Sequence, residues 1–500
     1  MSRRVGIIGA GLGGLAAAIR LAAAGHRVTV LEQNAEAGGK CARYSRDGYT
    51  FDTGPSVLTL PQVLDDLFAA AGENRADWLP IEPVQPGHRY FFADGSRFDA
   101  PGEIEGFEAA LLDRFPEEAD GWRAYRRYMK RLWDLSAPLF LYRQPGPKAF
   151  LAVSPATALK GLVALRPETM ATTLRRHFKD PRVIQLFSRY ATYNGSDPWR
   201  TPATFNVIPY AELAFGTWRC VGGMYTLVES LTRLAGKLGV AIRCNQPVDA
   251  VTFNGRGNRV AGIRTKEGAT HAFDHLVINA DGIAALTGPL FREHPKQRGW
   301  QASYAKREAS GSGYVLLAAI KRRVPDLAVH NVFFSGDYRK EFRQQFTRGE
   351  PLDDPTIYLH AASRTDPALA PAGHEAWFLL VNAPSLDRRP DWPETYGQGL
   401  LDRLADGPWA WQLDPSVLAW HETRNPRFFR DRFGGWHGAL YGLSSNAWRS
   451  AFWRLSNRHP RIGGLYFAGG SAHPGGGIPL VLLSGKLAAE RVLQDAFRAG

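Results

Sequence analysis

The sequence predicts an α/β protein with α+β insertions, in which a nucleotide-binding domain is assembled from separated stretches of chain. Three observations carry that expectation. The chain opens on a strand, a glycine turn, a helix and a second strand, the pattern of a βαβ unit. Another glycine-rich turn, Gly469–Pro479, stands near the far end, again between a short apolar strand and a helix. Between them, residues 104–200 read as largely helical and residues 312–385 as rich in strands, so the intervening chain belongs to other architecture.

Val5–Ile8 is a short buried strand, Leu12–Ala24 an alanine-rich helix closed by Gly25 as a natural C-cap, and Val28–Leu31 the second strand. Trp122, Tyr125, Met129 and Trp133 recur at helical spacing with Arg123, Arg126, Arg127, Lys130 and Arg131 between them. Pro145 and Pro147 break that pattern, and an apolar stretch, Phe150–Leu165, follows with Lys160 as its one charge. Gly222-Gly223-Met224 opens a helix to about Leu238. Strands are expected at Ala241–Arg243, Ala250–Phe253, Val260–Thr265 and Leu276–Asn279, then at Tyr314–Ile320, Thr356–His360 and Ala376–Val381. Leu465–Ala468 is a last strand and Ile478–Phe497 a closing helix. The expected organisation is a discontinuous nucleotide-binding domain (1–75, 217–285 and 460–500), a second domain with a mixed sheet (76–103 and 286–459), and a helical region (104–216).

Composition narrows the partners. In 500 residues, 44% are hydrophobic and 22% charged, the proportions of an ordinary folded protein. Cys41, Cys220 and Cys244 are far apart and fit no metal spacing, which argues against a disulfide framework or a metal site and for a reducing compartment. A formal net charge of +13 favours nucleic acid, anionic lipid or anionic small molecules. No nucleic-acid motif is present and the arginines are scattered, so no nucleic-acid partner is expected. The basic, apolar N-terminus imitates a signal peptide, but its glycines fall at fixed offsets and Arg20 interrupts it. No stretch reaches the roughly 20 apolar residues that span a bilayer. The expected location is cytoplasmic, peripheral on the cytoplasmic membrane.

The chemistry starts at Gly9-Ala10-Gly11-Leu12-Gly13-Gly14, a Rossmann-like fingerprint in the right context, with Glu32 following Gly9 by 23 residues at the end of the next strand. Gly9 permits the tight turn, Gly11 lets a pyrophosphate approach the backbone, Gly14 allows close helix–strand packing, and the helix N-terminus attracts phosphate. Glu32 suits ribose hydroxyls and repels a 2′-phosphate. Five residues on stand Gly38, Gly39 and Lys40. This longer pattern, with Ala18, Leu21, Gly25, Val28 and Val30, resembles flavoproteins of the amine-oxidase and carotenoid-desaturase type, in which the glycine pair lets the chain pass close to the flavin side of FAD.

Further segments are similar to the bacterial-type phytoene desaturase, or carotenoid desaturase, family along the whole chain. Tyr49-Thr-Phe-Asp-Thr-Gly-Pro-Ser56 looks like a flavin-adjacent loop, which would place Gly54, Pro55 and Ser56 at the cofactor. Trp218–Tyr225 with Asn245–Asp249 resembles the second FAD segment, where Val248 would pair its backbone with adenine and Asn279, Ala280 and Asp281 would approach the adenosine end. In the C-terminal turn the glycines, among them Gly469, Gly470 and Gly477, admit the diphosphate–ribityl chain, and the helix begun by Ile478 and Pro479 points its positive end at the flavin N1–C2=O edge. Many relatives in the wider superfamily carry aspartate where Gly470 stands. The segment Phe187–Pro198 is most similar to the hydroxycarotenoid 3,4-desaturases and to C30-carotenoid desaturases and oxidases.

The resemblance implies an oxidoreductase with FAD as cofactor that removes hydrogens from an acyclic carotenoid, phytoene-, neurosporene- or hydroxycarotenoid-like. One hydrogen leaves to the flavin and one as a proton, with adjacent conjugation stabilising the developing charge. It leaves open a flavin-dependent carotenoid oxidase or isomerase and, remotely, a non-catalytic prenyl-lipid carrier. His473 is a candidate proton acceptor, or a histidine that shapes its turn. Arg189, Tyr190, Tyr193 and Asn194 are candidates for the substrate tunnel, or for helix packing and caps. A hydrophobic polyene substrate implies docking on a membrane surface, with Trp122–Trp133 and Phe150–Leu165 as candidate interfacial surfaces, or as core-facing helices. It also implies oxygen or a quinone as electron acceptor. Oligomeric state is not read from the sequence.

Overall fold

The computed structural model describes residues 2–144, 168–408, 415–447 and 454–498. The first strand, Arg4–Ile8, is buried along four of its five residues because it lies at the centre of a five-stranded sheet. Its order is Leu465–Phe467, His275–Ile278, Arg4–Ile8, Arg27–Leu31, Ala241–Arg243, with all pairings parallel. Strands buried on both faces read as continuous apolar runs, as Val277 and Ile278 do here. Four regions of the sequence therefore meet in one sheet.

The helix Leu12–Ala23 returns the chain from the first strand to the second, and Gly25 (φ 83°) follows its end. The closing helix Ile478–Arg498 crosses it at unusually close range. A Cβ on Gly485 would stand 2.3 Å from the Gly13 carbonyl oxygen, so only glycine lets these backbones touch.

A second sheet of seven strands has the order Leu418–Arg424, Ser312–Ile320, Glu375–Ala383, Ile357–His360, His330–Phe333, His88–Phe91, Arg97–Ala100. It is mixed, because His330–Phe333 runs parallel to His88–Phe91 while the other pairs are antiparallel. Strand alternation gives it two different faces. Phe91, Phe333, Ile357 and Leu359 enter one apolar core with Trp377 and Leu400. His88, Tyr90, His330, Tyr358 and His360 point the other way, towards the helical region.

The helices of 104–216 fold over that second face. Ala119–Ser136 carries the aromatic stripe seen in the sequence, and Trp122, Tyr125, Met129 and Leu132 are all buried. Trp122 packs on Phe107 and Phe187 at ring-centroid distances of 5.3 and 6.0 Å. Of the two readings of the stripe, the core-facing helix holds for Trp122, Tyr125 and Met129, and the arginines take the solvent side, while Trp133 is only partly buried. The other expected surface, Phe150–Leu165, lies outside the described residues. No described helix is long and apolar enough to cross a membrane.

Truncating a fully buried indole removes its dispersion contacts and leaves a cavity. Trp122→Ala should therefore cost about 3–5 kcal/mol, read as a lowered thermal midpoint. A loss below about 1 kcal/mol, the scale of surface changes, would mean that the ring does not carry this core.

Candidate functional site

Gly9 turns at φ 99°, and a Cβ on Gly14 would lie 2.3 Å from the Gly9 oxygen, so the strand runs into the helix with no room for side chains. The helix N-cap is Gly11. No side chain caps it, and its first turn holds no acid. Leu12, Gly13 and Gly14 are buried. The N–H groups of Gly13 and Gly14 have no partner in the helix and none among the described residues, while a parallel bridge holds Gly11 against Gly38. A buried helix N-terminus left open in this way fits a phosphate group.

Asn279, directly after the strand His275–Ile278, holds the turn in shape. Its side-chain amide donates to the carbonyls of Gly9 (3.1 Å) and Gly11 (3.3 Å). Its Oδ1 would be 2.9 Å from a Cβ on Gly469, so the N-terminal and C-terminal glycine turns touch the same residue. Glu32 is buried at the end of the second strand. Its carboxylate accepts from the N–H groups of Ala10 (2.8 Å) and Asn34 (2.9 Å), which leaves lone pairs for hydroxyl donors. The Glu32 N–H donates to the Arg243 carbonyl and Gln246 N–H to the Glu32 carbonyl, so Val248 lies just beyond this corner.

Gly38 donates its N–H to the Ala10 carbonyl (2.9 Å), and a Cβ on Gly39 would be 3.3 Å from Gly11 Cα, so the glycine pair presses on the first turn. Lys40 donates to the Leu440 carbonyl at 2.5 Å. Gly54 sits against the Lys40 carbonyl, which a Cβ would approach to 1.8 Å. Asp52, two residues before Gly54, accepts from the N–H groups of Met224 (2.7 Å) and Tyr225 (3.1 Å), the amino end of the helix Tyr225–Lys237. This staple joins the first and second nucleotide segments. Burial pushes the Asp52 carboxyl up to about 6, against the pull of those two hydrogen bonds.

In the C-terminal turn, Gly469 N–H donates to Ser484 Oγ (3.1 Å), and Gly477 (φ 98°) is exposed with open space where a Cβ would be. Ile478 and Pro479, both buried, begin the closing helix. His473 is buried, with its ring 4.6 Å edge-on to Phe140 and its Nε2 2.9 Å from the Arg143 carbonyl. Burial depresses it to about 4, so the ring is neutral at pH 7 and Nδ1 has no partner. Asp281 has both oxygens engaged by backbone: Oδ1 accepts from Ile283 and Ala284 N–H, and Oδ2 from Trp436 N–H. It caps the short helix Gly282–Thr287, while Ala280 stands beside it, half-buried.

Ser56 Oγ is 2.6 Å from Tyr358 OH, which is 2.8 Å from His330 Nδ1. His330 stacks on His360 at 4.9 Å and lies 5.5 Å from His88, whose Nδ1 is 3.6 Å from Glu212. Tyr190 and Tyr193 donate to the two oxygens of Glu212 at 2.7 and 2.6 Å. Arg189 donates to Tyr90 OH (2.7 Å) and Tyr193 OH (3.2 Å). Burial depresses His88 and His330 well below the usual histidine range, so both are neutral. Asn194 stands apart from this network: its Oδ1 accepts from Arg454 at 3.3 Å.

Lys40, Tyr193, Tyr358, Tyr441 and Arg454 lie deep in the molecule yet keep part of their accessible surface. Asp52, His88, Tyr90, Glu212, His330, Tyr358 and Arg454 were not singled out from the sequence. The alternation His88-x-Tyr90 and Tyr358-x-His360 was the available signal for three of them.

Residues 12–493 match the family described as flavin containing amine oxidoreductase. The chain is 35% identical to a 1-hydroxycarotenoid 3,4-desaturase of Flavobacterium sp. (strain P99-3), over 97% of this chain and 98% of that protein. It is 34% identical to a 4,4′-diapolycopene oxygenase of Methylomonas sp, over 99% of both. Among solved structures, cyclohexylamine oxidase from Brevibacterium oxydans IH-35A superposes with a TM-score of 0.59 at 17% identity, over 100% of both chains, a likeness of fold.

Two outcomes follow from this geometry. Gly14→Ala drives a methyl into the Gly9 carbonyl and should reduce flavin affinity by at least about tenfold, a change of 1.4 kcal/mol, measured by titrating the apoprotein; unchanged affinity would mean that the turn does not carry the phosphates. Asp52 holds its proton more tightly folded than unfolded, so its contribution to stability is greatest below the ordinary carboxylate value of 3.8 and is lost as pH rises through about 6. Asp52→Asn cannot ionise. Its thermal midpoint relative to wild type should rise across that window, by the equivalent of about 3 kcal/mol at most; a pH-independent difference would contradict the assignment.

Proposed function

This chain belongs to the flavin containing amine oxidoreductase family, and we propose that within it the protein is an FAD-dependent carotenoid desaturase acting on an acyclic polyene. The observation that carries this reading is the near full-length likeness to a 1-hydroxycarotenoid 3,4-desaturase. The site is consistent with it. The open N-terminus of Leu12–Ala23 would hold the pyrophosphate, Glu32 the adenosine ribose, and the backbone near Val248 the adenine. Gly38, Gly39, Gly54, Pro55 and the Gly469–Pro479 turn would flank the flavin half. Bound FAD supplies the two-electron chemistry that turns a saturated CH–CH unit into a double bond.

The residues of the chain then have three tasks. The partly exposed Tyr193, Tyr358, Leu440 and Tyr441 would hold a chain of conjugated carbons in register, and positioning is the main source of rate. The neutral Tyr358–His330 pair and Ser56 form a hydrogen-bonded path along which the proton released from substrate can leave. His473, also neutral and with Nδ1 free of partners, is the other group able to accept a proton. The third task is substrate access. Trp133, Leu141, Tyr142, Tyr210 and Phe215 form a partly exposed apolar patch on the helical region, and we place contact with a membrane surface there. Oxygen or a quinone reoxidises the cofactor.

Coexpression with acyclic precursors tests the proposal. The product should be lighter by two hydrogens for each new double bond, with polyene absorption moved to longer wavelength. Gain of oxygen would instead assign the activity of the second relative, the oxygenase.

A further inference from the structure

Arg454 is announced by no sequence motif. It joins the C-terminal glycine turn to the substrate side. One guanidinium nitrogen donates to the carbonyls of Gly470 (3.1 Å) and Tyr441 (3.4 Å), the other to Asn194 Oδ1 and Ser445 Oγ (3.3 Å each). The guanidinium also backs onto Gly475, where a Cβ would be 3.2 Å from Cζ. All four acceptors are neutral.

Other deep arginines in this fold stand beside acids. Arg189 is 4.0 Å from Glu212 and Arg364 2.8 Å from Glu375. Arg454 has no carboxylate within ion-pair distance among the described residues, and position 470, whose carbonyl it holds, carries no side chain. Burial alone lowers it, to about 10, so it remains charged at neutral pH. Lys40 donates to the preceding carbonyl, Leu440, so two cations hold consecutive peptide units. The one carboxylate acting on Lys40, Asp281, is already committed to three backbone N–H groups. A positive charge in low-dielectric surroundings with no acid beside it favours whichever state of a neighbouring group is negative.

Resting on the flavoenzyme reading above, we propose that Arg454 is the fixed positive charge that stabilises the reduced, anionic cofactor over the oxidised, neutral isoalloxazine, and so sets how readily electrons are taken from the polyene. In the overall reaction the CH–CH unit loses two electrons and two protons. The cofactor keeps both electrons and one proton, and the negative charge left on it is the charge that Arg454 faces. The interaction is made in the charged product state and only weakly with the oxidised form, which is the condition for it to favour the reaction.

The test uses the purified, FAD-loaded protein, with the midpoint potential measured by equilibration with a reference dye and FAD affinity measured separately. Arg454→Gln should bind reduced FAD at least about tenfold less tightly relative to oxidised FAD, a drop of about 30 mV for a two-electron couple. Arg454→Lys should retain most of the potential. A folded, flavin-bound Arg454→Gln with unaltered potential overturns the proposal, as does equal loss of flavin from both variants, which would make the role one of shape. Loss of oxidised flavin from the glutamine variant alone also overturns it, because the charge would then act on the oxidised cofactor. Wild-type protein that binds no flavin would instead sink the flavoenzyme reading, whatever the variants do.

Discussion

The buried amino terminus of the helix Leu12–Ala23 has no side chain to satisfy it, and the rest of the structure is arranged around that deficit. An unpaired helix end inside a protein costs free energy unless an anion meets it. Room for the anion requires that backbones, not side chains, form the walls. Gly13 against Gly485, Gly39 against Gly11, and Asn279 between two glycine turns are that requirement met from four different parts of the chain. A dinucleotide is long, and its two ends need different partners.

The seven-stranded sheet solves a second problem, how to present a polar face without losing a core. Its two faces have opposite chemistry because strand side chains alternate. Phe333 and Leu359 build an apolar core on one side, while His330 and Tyr358, an odd number of residues away in each strand, face the helical region on the other. The polar face remains buried, and burial keeps its histidines neutral. Arg189 and Glu212 are joined through the Tyr193 hydroxyl, with Tyr90 bonded to the arginine and Tyr190 to the carboxyl. Removing one partner would strand the other.

Much of this was legible before any coordinates. The first fingerprint, Glu32, the Gly38–Gly39 pair and the C-terminal turn are local patterns whose residue types are dictated by backbone geometry, and local geometry is written in short stretches of sequence. Asp281 was read as approaching the adenosine end; the structure gives its carboxylate the backbone N–H groups of a helix start and of Trp436. Trp122–Trp133 carried the right period, but a period does not say whether the apolar side meets lipid or protein; packing on Phe107 and Phe187 decided that.

By itself the sequence announced a dinucleotide site and a domain built in pieces, because each of these rests on a few adjacent residues with a forced conformation. The tertiary structure decided what surrounds the reacting end: Asp52 joining two segments 172 positions apart, Tyr358 reaching Ser56 across 302, and Arg454 facing Asn194 across 260. No window of sequence contains such pairs. Their chemistry comes from burial and from which charge has no partner, and both are properties of the folded packing alone.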